Sequence, residues 1–438
     1  MIDHIVIVGG GLSGSLLAAK VLKDTGSAVT LVESSEHRGG GGIGGESLTP
    51  SFVHLVSEVL PSTLEWLEYS DAHLKWGNKL IGWGEEDVYV PQFVGGSSTY
   101  NHNIRNFLVD NPSAGLGDIY EQCTPSVSYM KEGNMSVDFS KTEDWAVNLD
   151  SGKLTEYVLK HLGGLERYSH VITEEYSPVL NGNKIEGLEV ATGLIQGQLY
   201  IDATGPSRGL ISHLKGLKIR NYKDVFSNDK VIYGYIAPTF NNFVSSYTGE
   251  GGWHWEIPLA SKSSVGYVFN SKFVNTKEAF KELKARFPSL EEVTEVSIPC
   301  NRLENPWLSN VVTIGSGQGI IDPLEANILL HTKAHINNIV DFIKLGAPVS
   351  FIHANKFNTL SNQAWEGMAS FLELHYRGCN RQDTEYWRST TGNPHVYPAL
   401  SNFILYNHYE YKGRYFDWEK WAIVALGLKV VKAEDLIR

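Results

Sequence analysis

Near the start of the chain, Gly9-Gly10-Gly11-Leu12-Ser13-Gly14 fits the spacing G-x-G-x-x-G. Gly9, Gly11 and Gly14 let the backbone turn tightly and approach a pyrophosphate at a helix N-terminus. Alone, such a run is only a glycine-rich turn. Here a β-branched run from Asp3 to Val8 precedes it, helical apolar spacing from Leu12 to Val21 follows, and a second β run from Ala28 to Val32 ends at Glu33. A carboxylate at that point can accept ribose hydroxyls, so the chemistry is dinucleotide binding. A second group is Trp253-His254-Trp255-Glu256-Ile257-Pro258. Alternate residues of a strand share a face, so Trp253 and Trp255 set two indoles side by side and Pro258 stops ladder pairing. Two aromatics packed in a core strand would leave the same trace. His331 and His335, four apart on a helix, could share a metal, but no H-E-x-x-H and no third ligand by spacing accompanies them, and no metal is expected.

The elements that must hold these groups start with a βαβ unit at the N-terminus. A Gly-rich stretch, 39–45, comes next, then a helical pattern from Ser51 to Trp66 in which Pro61 opens a second helix or kinks the first. Gln198 to Ile201 enters Asp202-Ala203-Thr204-Gly205, and Val311 to Ile314 enters Gly315-Ser316-Gly317-Gln318-Gly319; both read as further strands of one sheet. They resemble the later strands of FAD-binding folds in the hydroxylase group, where a D-A-T-G strand passes the flavin. FAD is therefore the expected dinucleotide. No second G-x-G-x-x-G follows a strand, so a built-in NAD(P)H domain is not expected and the flavin is reduced elsewhere. Aromatic and β-branched stretches at 88–108 and 231–270, with a turn at Asn181-Gly182-Asn183, indicate an inserted β-containing region, and Leu329 to Asp383 is helical in pattern. The expected architecture is α/β: an FAD-binding Rossmann-like fold of the hydroxylase type with an inserted β-containing substrate domain and a helical C-terminal region. The cofactor domain is expected to be discontinuous over 1–87, 141–210 and 300–345, with 88–140, 211–299 and 346–438 forming the substrate-binding region.

Composition narrows the partners. The 438 residues carry 37 Lys plus Arg against 49 Asp plus Glu, a net charge of −12, with no run of five basic residues, so nucleic acid and anionic membranes are disfavoured. No apolar run approaches the roughly 20 residues that span a bilayer. Three scattered cysteines make no disulfide framework, the N-terminus is no signal peptide, and a cytoplasmic location is expected. A homo-oligomer is left open.

The W-x-W-x-I-P run at 253–258 resembles that of flavin-dependent halogenases of the tryptophan-halogenase type. Four more segments agree in order. Gly45-Glu46-Ser47-Leu48-Thr49-Pro50 resembles the family's strap beside the flavin, Gly266-Tyr267-Val268-Phe269-Asn270-Ser271 its G-Y-V-x-S-S segment, and Asp322-Pro323-Leu324-Glu325 its E-P-L-E-S turn. Phe371 to Tyr376, continuing through Arg381, Asp383, Thr384, Trp387 and Arg388, resembles the helical F-x-x-x-H-Y…R-x-D-T-x-x-W-R stretch. The resemblance implies that reduced FAD and dioxygen oxidise halide to hypohalous acid, which travels inside the protein to a lysine that delivers halogen to an electron-rich aromatic ring. A separate NAD(P)H:flavin reductase supplies the reduced flavin.

The same resemblance assigns roles. Lys75, in Asp71-Ala72-His73-Leu74-Lys75-Trp76 with Trp83 eight residues on, matches the family's lysine, with Lys79 as competitor. Glu325 is the accompanying carboxylate, and the backbone amides of Asn327 and Ile328 are the halide site. Trp253, Trp255 and Pro258 would wall the organic substrate off the flavin; Gly9, Gly11, Gly14, Glu33, Gly45, Glu46, Ser47, Asp202, Gly315 and Gly319 would hold it. Glu325-Ala326-Asn327-Ile328 lacks the hydroxyls of the usual E-S-T-G, so bromination and iodination are considered beside chlorination. The C-terminal region is abbreviated, as in short viral and orphan members that accept varied aromatics, and free tryptophan is not implied. Two rivals stay open: an FAD-dependent aromatic monooxygenase, which would be indifferent to Lys75 and halide, and a non-catalytic flavin-binding protein, which would release peroxide unproductively.

Overall fold

The run His4–Val8 is apolar without alternation, as a strand covered on both faces must be. In the computed structural model, which describes residues 2–35, 46–92, 103–138, 145–406 and 416–437 (of Asn327 and Tyr406 only the backbone), it lies inside a six-stranded sheet. The order is Trp307–Leu308, Val311–Thr313, Leu199–Asp202, His4–Val8, Ala28–Ser34, Tyr168–Thr173, parallel except for the first pair. Helix Leu12–Asp24 buries Leu16, Leu17, Ala18 and Val21, because helices Ser151–Leu162 and Asn327–Lys344 pack on it as well as the sheet.

A seven-stranded sheet stands apart, in the order Thr294–Ser297, Lys230–Ile236, Ser263–Phe269, Gly252–Pro258, Val244–Thr248, Gly77–Ile81, Val88–Pro91. Strand Gly77–Ile81 joins it through the parallel pairing of Val244 with Asn78, although most of 1–87 serves the first sheet. In a separate three-stranded antiparallel sheet, Ala146–Leu149 pairs with both Glu46–Leu48 and His73–Lys75. Its two edge strands carry the strap and the candidate lysine.

Of two local expectations, the second-helix alternative holds and the other changes. Ser51 to Trp66 is two helices, Pro50–Val59 and Thr63–Tyr69; Pro61 lies between them and the Ser62 hydroxyl accepts from Glu65 N at 3.4 Å to start the second. Within 88–108, strand Val88–Pro91 is followed at Ile104–Asp110 by a helix, since the Asn103 side chain caps it by accepting from Asn106 N at 2.8 Å. The C-terminal region is helical at Phe351–Gly378, Glu385–Thr391, Pro398–Tyr406 and Trp418–Gly427. Among the described residues no helix is long and apolar enough to cross a membrane, and the three cysteines are free and buried.

Candidate active site

The glycine-bearing turns meet at the carboxyl ends of adjacent parallel strands, where α/β sheets bind ligands. A Cβ on Gly9, whose φ is 111°, would lie 2.3 Å from Ala203 O, and one on Gly14 would lie 2.1 Å from Gly9 O. Gly11 is the residue from which helix Leu12–Asp24 starts. Gly315, with φ 66°, faces the same helix start, since its Cβ would come 2.5 Å from Ser13 Oγ. Glu33 is next to last in strand Ala28–Ser34, its carboxylate buried against Gly10 and 3.1 Å from His170 Nε2. Bare backbone at a 13-residue helix's N-terminus, with a carboxylate at the neighbouring strand end, fits the diphosphate and ribose of FAD.

Other expected flavin residues fall differently. The Asp202 carboxylate is spent in its own turn, accepting from Thr204 Oγ1 at 2.6 Å and from Leu210 N and Ile211 N at 2.9 Å each. Gly319 pairs in a small sheet where its Cβ would meet Arg302 Cβ at 2.6 Å. Burial, reinforced by Asp150 and opposed by a Ser151 hydrogen bond, holds the Glu46 carboxyl above the usual carboxylate range. Ser47 donates to Asn148 Oδ1 at 2.6 Å. Gly45 lies outside the described residues.

A cavity of about 380 Å³ brings together Ser47, Thr49 and Pro50 of the strap, Lys75, Asn78, Val90, Glu325, Ala326, Phe416 and Lys420. Lys75 ends its strand between buried Leu74 and Trp76 and is 5% exposed. Burial pushes its pKa down to about 8; the Lys420 charge adds to this and the Glu325 carboxylate opposes it. The competitor, Lys79, is engaged elsewhere: Nζ is 2.8 Å from Asp87 Oδ2 and sits over the Tyr89 ring, an environment that raises its pKa against partial burial.

Glu325 is held at both oxygens. Oε2 accepts from Asn78 Nδ2 at 2.8 Å, and Oε1 lies 3.5 Å from His375 Nε2. His375 Nδ1 is 2.9 Å from the Phe371 carbonyl, which can only accept, so Nδ1 bears a hydrogen. Nε2 and Oε1 face each other, and neither has another hydrogen-bond partner among the described residues. Burial works to raise the Glu325 pKa, but His375, Lys75 and Lys420 outweigh it and the carboxyl titrates below its ordinary value.

The turn bearing Glu325 is strained. Glu325 and Ala326 have φ 66° and 48°, a region costly for residues with a Cβ, immediately before helix Asn327–Lys344. Asp322 anchors the turn: it accepts from Leu324 N at 3.0 Å, Asn228 Nδ2 at 3.2 Å and Tyr376 Oη at 2.8 Å. Consecutive residues His375 and Tyr376 thus grip Glu325 and Asp322.

Trp253 and Trp255 are buried on one face of their strand, ring centroids 6.1 Å apart, with Pro258 as its last residue. Trp255 Nε1 donates to Ser264 Oγ at 3.1 Å over Gly266, where a Cβ would strike the indole at 2.2 Å. Neither indole lines the Lys75 cavity. His331 and His335 meet edge to face at 4.1 Å and join Gln318, Ser361 and Trp365 in a buried network in which desolvation holds both rings well below their ordinary pKa. Sequence reasoning missed Asn78, Lys333, Phe416 and Lys420; it quoted His375 in a motif without giving it a role.

Residues 4–436 match the tryptophan halogenase family profile. Tryptophan 6-halogenase SttH of Streptomyces toxytricini is 25% identical, over 89% of this chain and 80% of its own, and tryptophan 7-halogenase RebH of Lentzea aerocolonigenes is 23% identical, over 89% and 78%. The SttH crystal structure superposes with a TM-score of 0.87, 23% identity, covering 97% of this chain and 90% of its own. The flavin-dependent halogenase BrvH of Brevundimonas sp. BAL3 does so with 0.82, 20% identity, 98% and 90%. The structural likenesses, at these identities, are likenesses of fold.

Proposed function

Because the chain belongs to the tryptophan halogenase family, a family of flavin-dependent enzymes, we propose that it halogenates an electron-rich aromatic compound at the Lys75–Glu325 cavity. Reduced FAD, when bound, supplies with dioxygen the two-electron oxidation of halide to hypohalous acid; a separate NAD(P)H:flavin reductase supplies the reduced flavin.

The observation that carries the reading is a buried amine with a pKa of about 8 beside a buried carboxylate, facing one cavity with the strap. At pH 7 about a tenth of such an amine is neutral, against about one part in three thousand for an ordinary lysine. Lys75 Nζ holds hypohalous acid by a hydrogen bond, or as the neutral amine takes the halogen while the O–halogen bond breaks and water leaves; the halogen then passes to a ring carbon and the amine is restored. Glu325, ionised, accepts the proton that this carbon loses. Asn78 and His375 fix the Glu325 carboxylate, and the Asn327 and Ile328 amides hold halide. Trp253 and Trp255 keep the organic substrate from the flavin.

The test is incubation with FAD, a flavin reductase, NADH and a panel of indoles, phenols and anilines, with bromide, iodide or chloride in turn. Mass spectrometry should find halogenated product with wild type and none with Lys75→Ala, while bound reduced flavin still reoxidises in the variant. Halogenation retained by Lys75→Ala would reject the assignment, and an oxygenated product formed without halide would favour a monooxygenase.

A further inference from the structure

The cavity holds more positive charge than halogen transfer uses. Lys75 and Lys420 line it together with the carboxylate of Glu325, in a chain whose net charge is −12, and Lys420 has no part in the transfer. Glu325 is already held by Asn78 and His375. Lys420 stands close enough to both catalytic groups that its charge lowers the pKa of each. Its place is fixed: Lys420 N donates to the Asp417 cap at 2.9 Å, and helix Trp418–Gly427 buries Trp421, Ile423 and Val424. Beside it Phe416, stacked on Phe371 at 4.1 Å, gives the cavity an aromatic wall.

Resting on the reading of this cavity as the halogenation site, we propose that Lys420 is a specificity-determining residue that selects aromatic substrates bearing a carboxylate. The ring lies along Phe416 with the reacting carbon toward Lys75, and the carboxylate meets the Lys420 ammonium. Like charges brought together away from water repel, and an anionic ligand relieves this where a neutral one cannot. A cationic cleft in an acidic protein also concentrates anions at its mouth.

The test compares indole-3-propionate, indole-3-propionamide and tryptamine as probes of one shape and three charges. With the FAD-loaded full chain, a flavin reductase and fixed bromide, kcat/KM for the acid should exceed that for the amide by about tenfold. Lys420→Met should bring this ratio near one, and Lys420→Glu should turn the preference to tryptamine. A wild-type ratio of one or less, or a ratio kept by Lys420→Met, overturns the inference. Equilibrium binding of the same probes separates the two proposals. Bromination of none counts against the reaction, and the acid-to-amide affinity ratio then decides the role of Lys420. For wild type that ratio should fall as salt is raised; a ratio indifferent to salt overturns the inference even if the variants do not fold.

Discussion

Replacing Lys75 by Met should stabilise the protein while ending halogenation. Met keeps the length and apolar stem of the side chain and removes only the amine. Burial is the main reason the Lys75 pKa falls from 10.5 to about 8. At 1.36 kcal/mol per tenfold change in proton affinity, that fall makes carrying the charge in the folded state cost roughly 3 kcal/mol. The group is depressed on folding, so between pH 8 and 10.5 the unfolded chain holds a proton that the folded chain has released. Stability therefore rises with pH across that window, and the full penalty is present below about pH 8. Unfolding entropy of about 2.1 cal/mol/K per residue over 438 residues turns 3 kcal/mol into a Tm shift of about 3–4 °C. Thermal unfolding of both proteins at pH 7 and pH 9.5 checks this. Lys75→Met should melt about 3 °C higher at pH 7, with less than about half that gap at pH 9.5. A variant that melts lower than wild type at pH 7, or a gap that does not narrow, would refute the argument that this amine is held at a cost.

Three further outcomes follow from the geometry. His375→Phe removes the group facing Glu325 Oε1, so the carboxyl pKa should move up toward its buried value; the acidic limb of the pH–rate profile should shift upward by about one pH unit, and a limb that stays in place would count against the pairing. Gly14→Val places side-chain atoms where even a Cβ would lie 2.1 Å from Gly9 O; FAD affinity in a fluorescence titration should fall by about tenfold or more, and undiminished binding would remove the first turn from the cofactor site. Asp202→Asn turns an amide toward the Leu210 and Ile211 N–H donors or leaves them unpaired; stability should drop by about 2–4 kcal/mol, read as a lower Tm, whereas an unchanged Tm would mean that the turn does not depend on this carboxylate.

The parts of the fold legible in the sequence are those written in short spans. The opening βαβ unit is local: the strand, the glycines, the helix and Glu33 lie within 35 residues, and each constrains the next. The helix at Ile104–Asp110 escaped because its stop and start depend on one Asn103 cap rather than on periodicity. The site is another matter. Lys75 and Glu325 were reached by resemblance alone, since nothing in the spacing of residues 250 apart says that they share a cavity; what joins them is the small sheet that seats Lys75 opposite Ala146, and Asn78, which bonds Glu325 from the adjoining strand. His375 and Tyr376 were visible as a motif, but their role needs the turn they grip, where the residues before the helix take a left-handed backbone. That strain explains why so many partners converge there. A turn holding two β-carbon residues at positive φ relaxes unless its neighbours over-determine it. The Asp322 bonds to Leu324, Asn228 and Tyr376, with the Glu325 bond to Asn78 and its contact with His375, are that over-determination, drawn from the turn itself and three distant stretches of chain. Lys420 sits within this arrangement and contributes none of these bonds, which is the physical reason to look for its purpose in what enters the cavity rather than in what builds it.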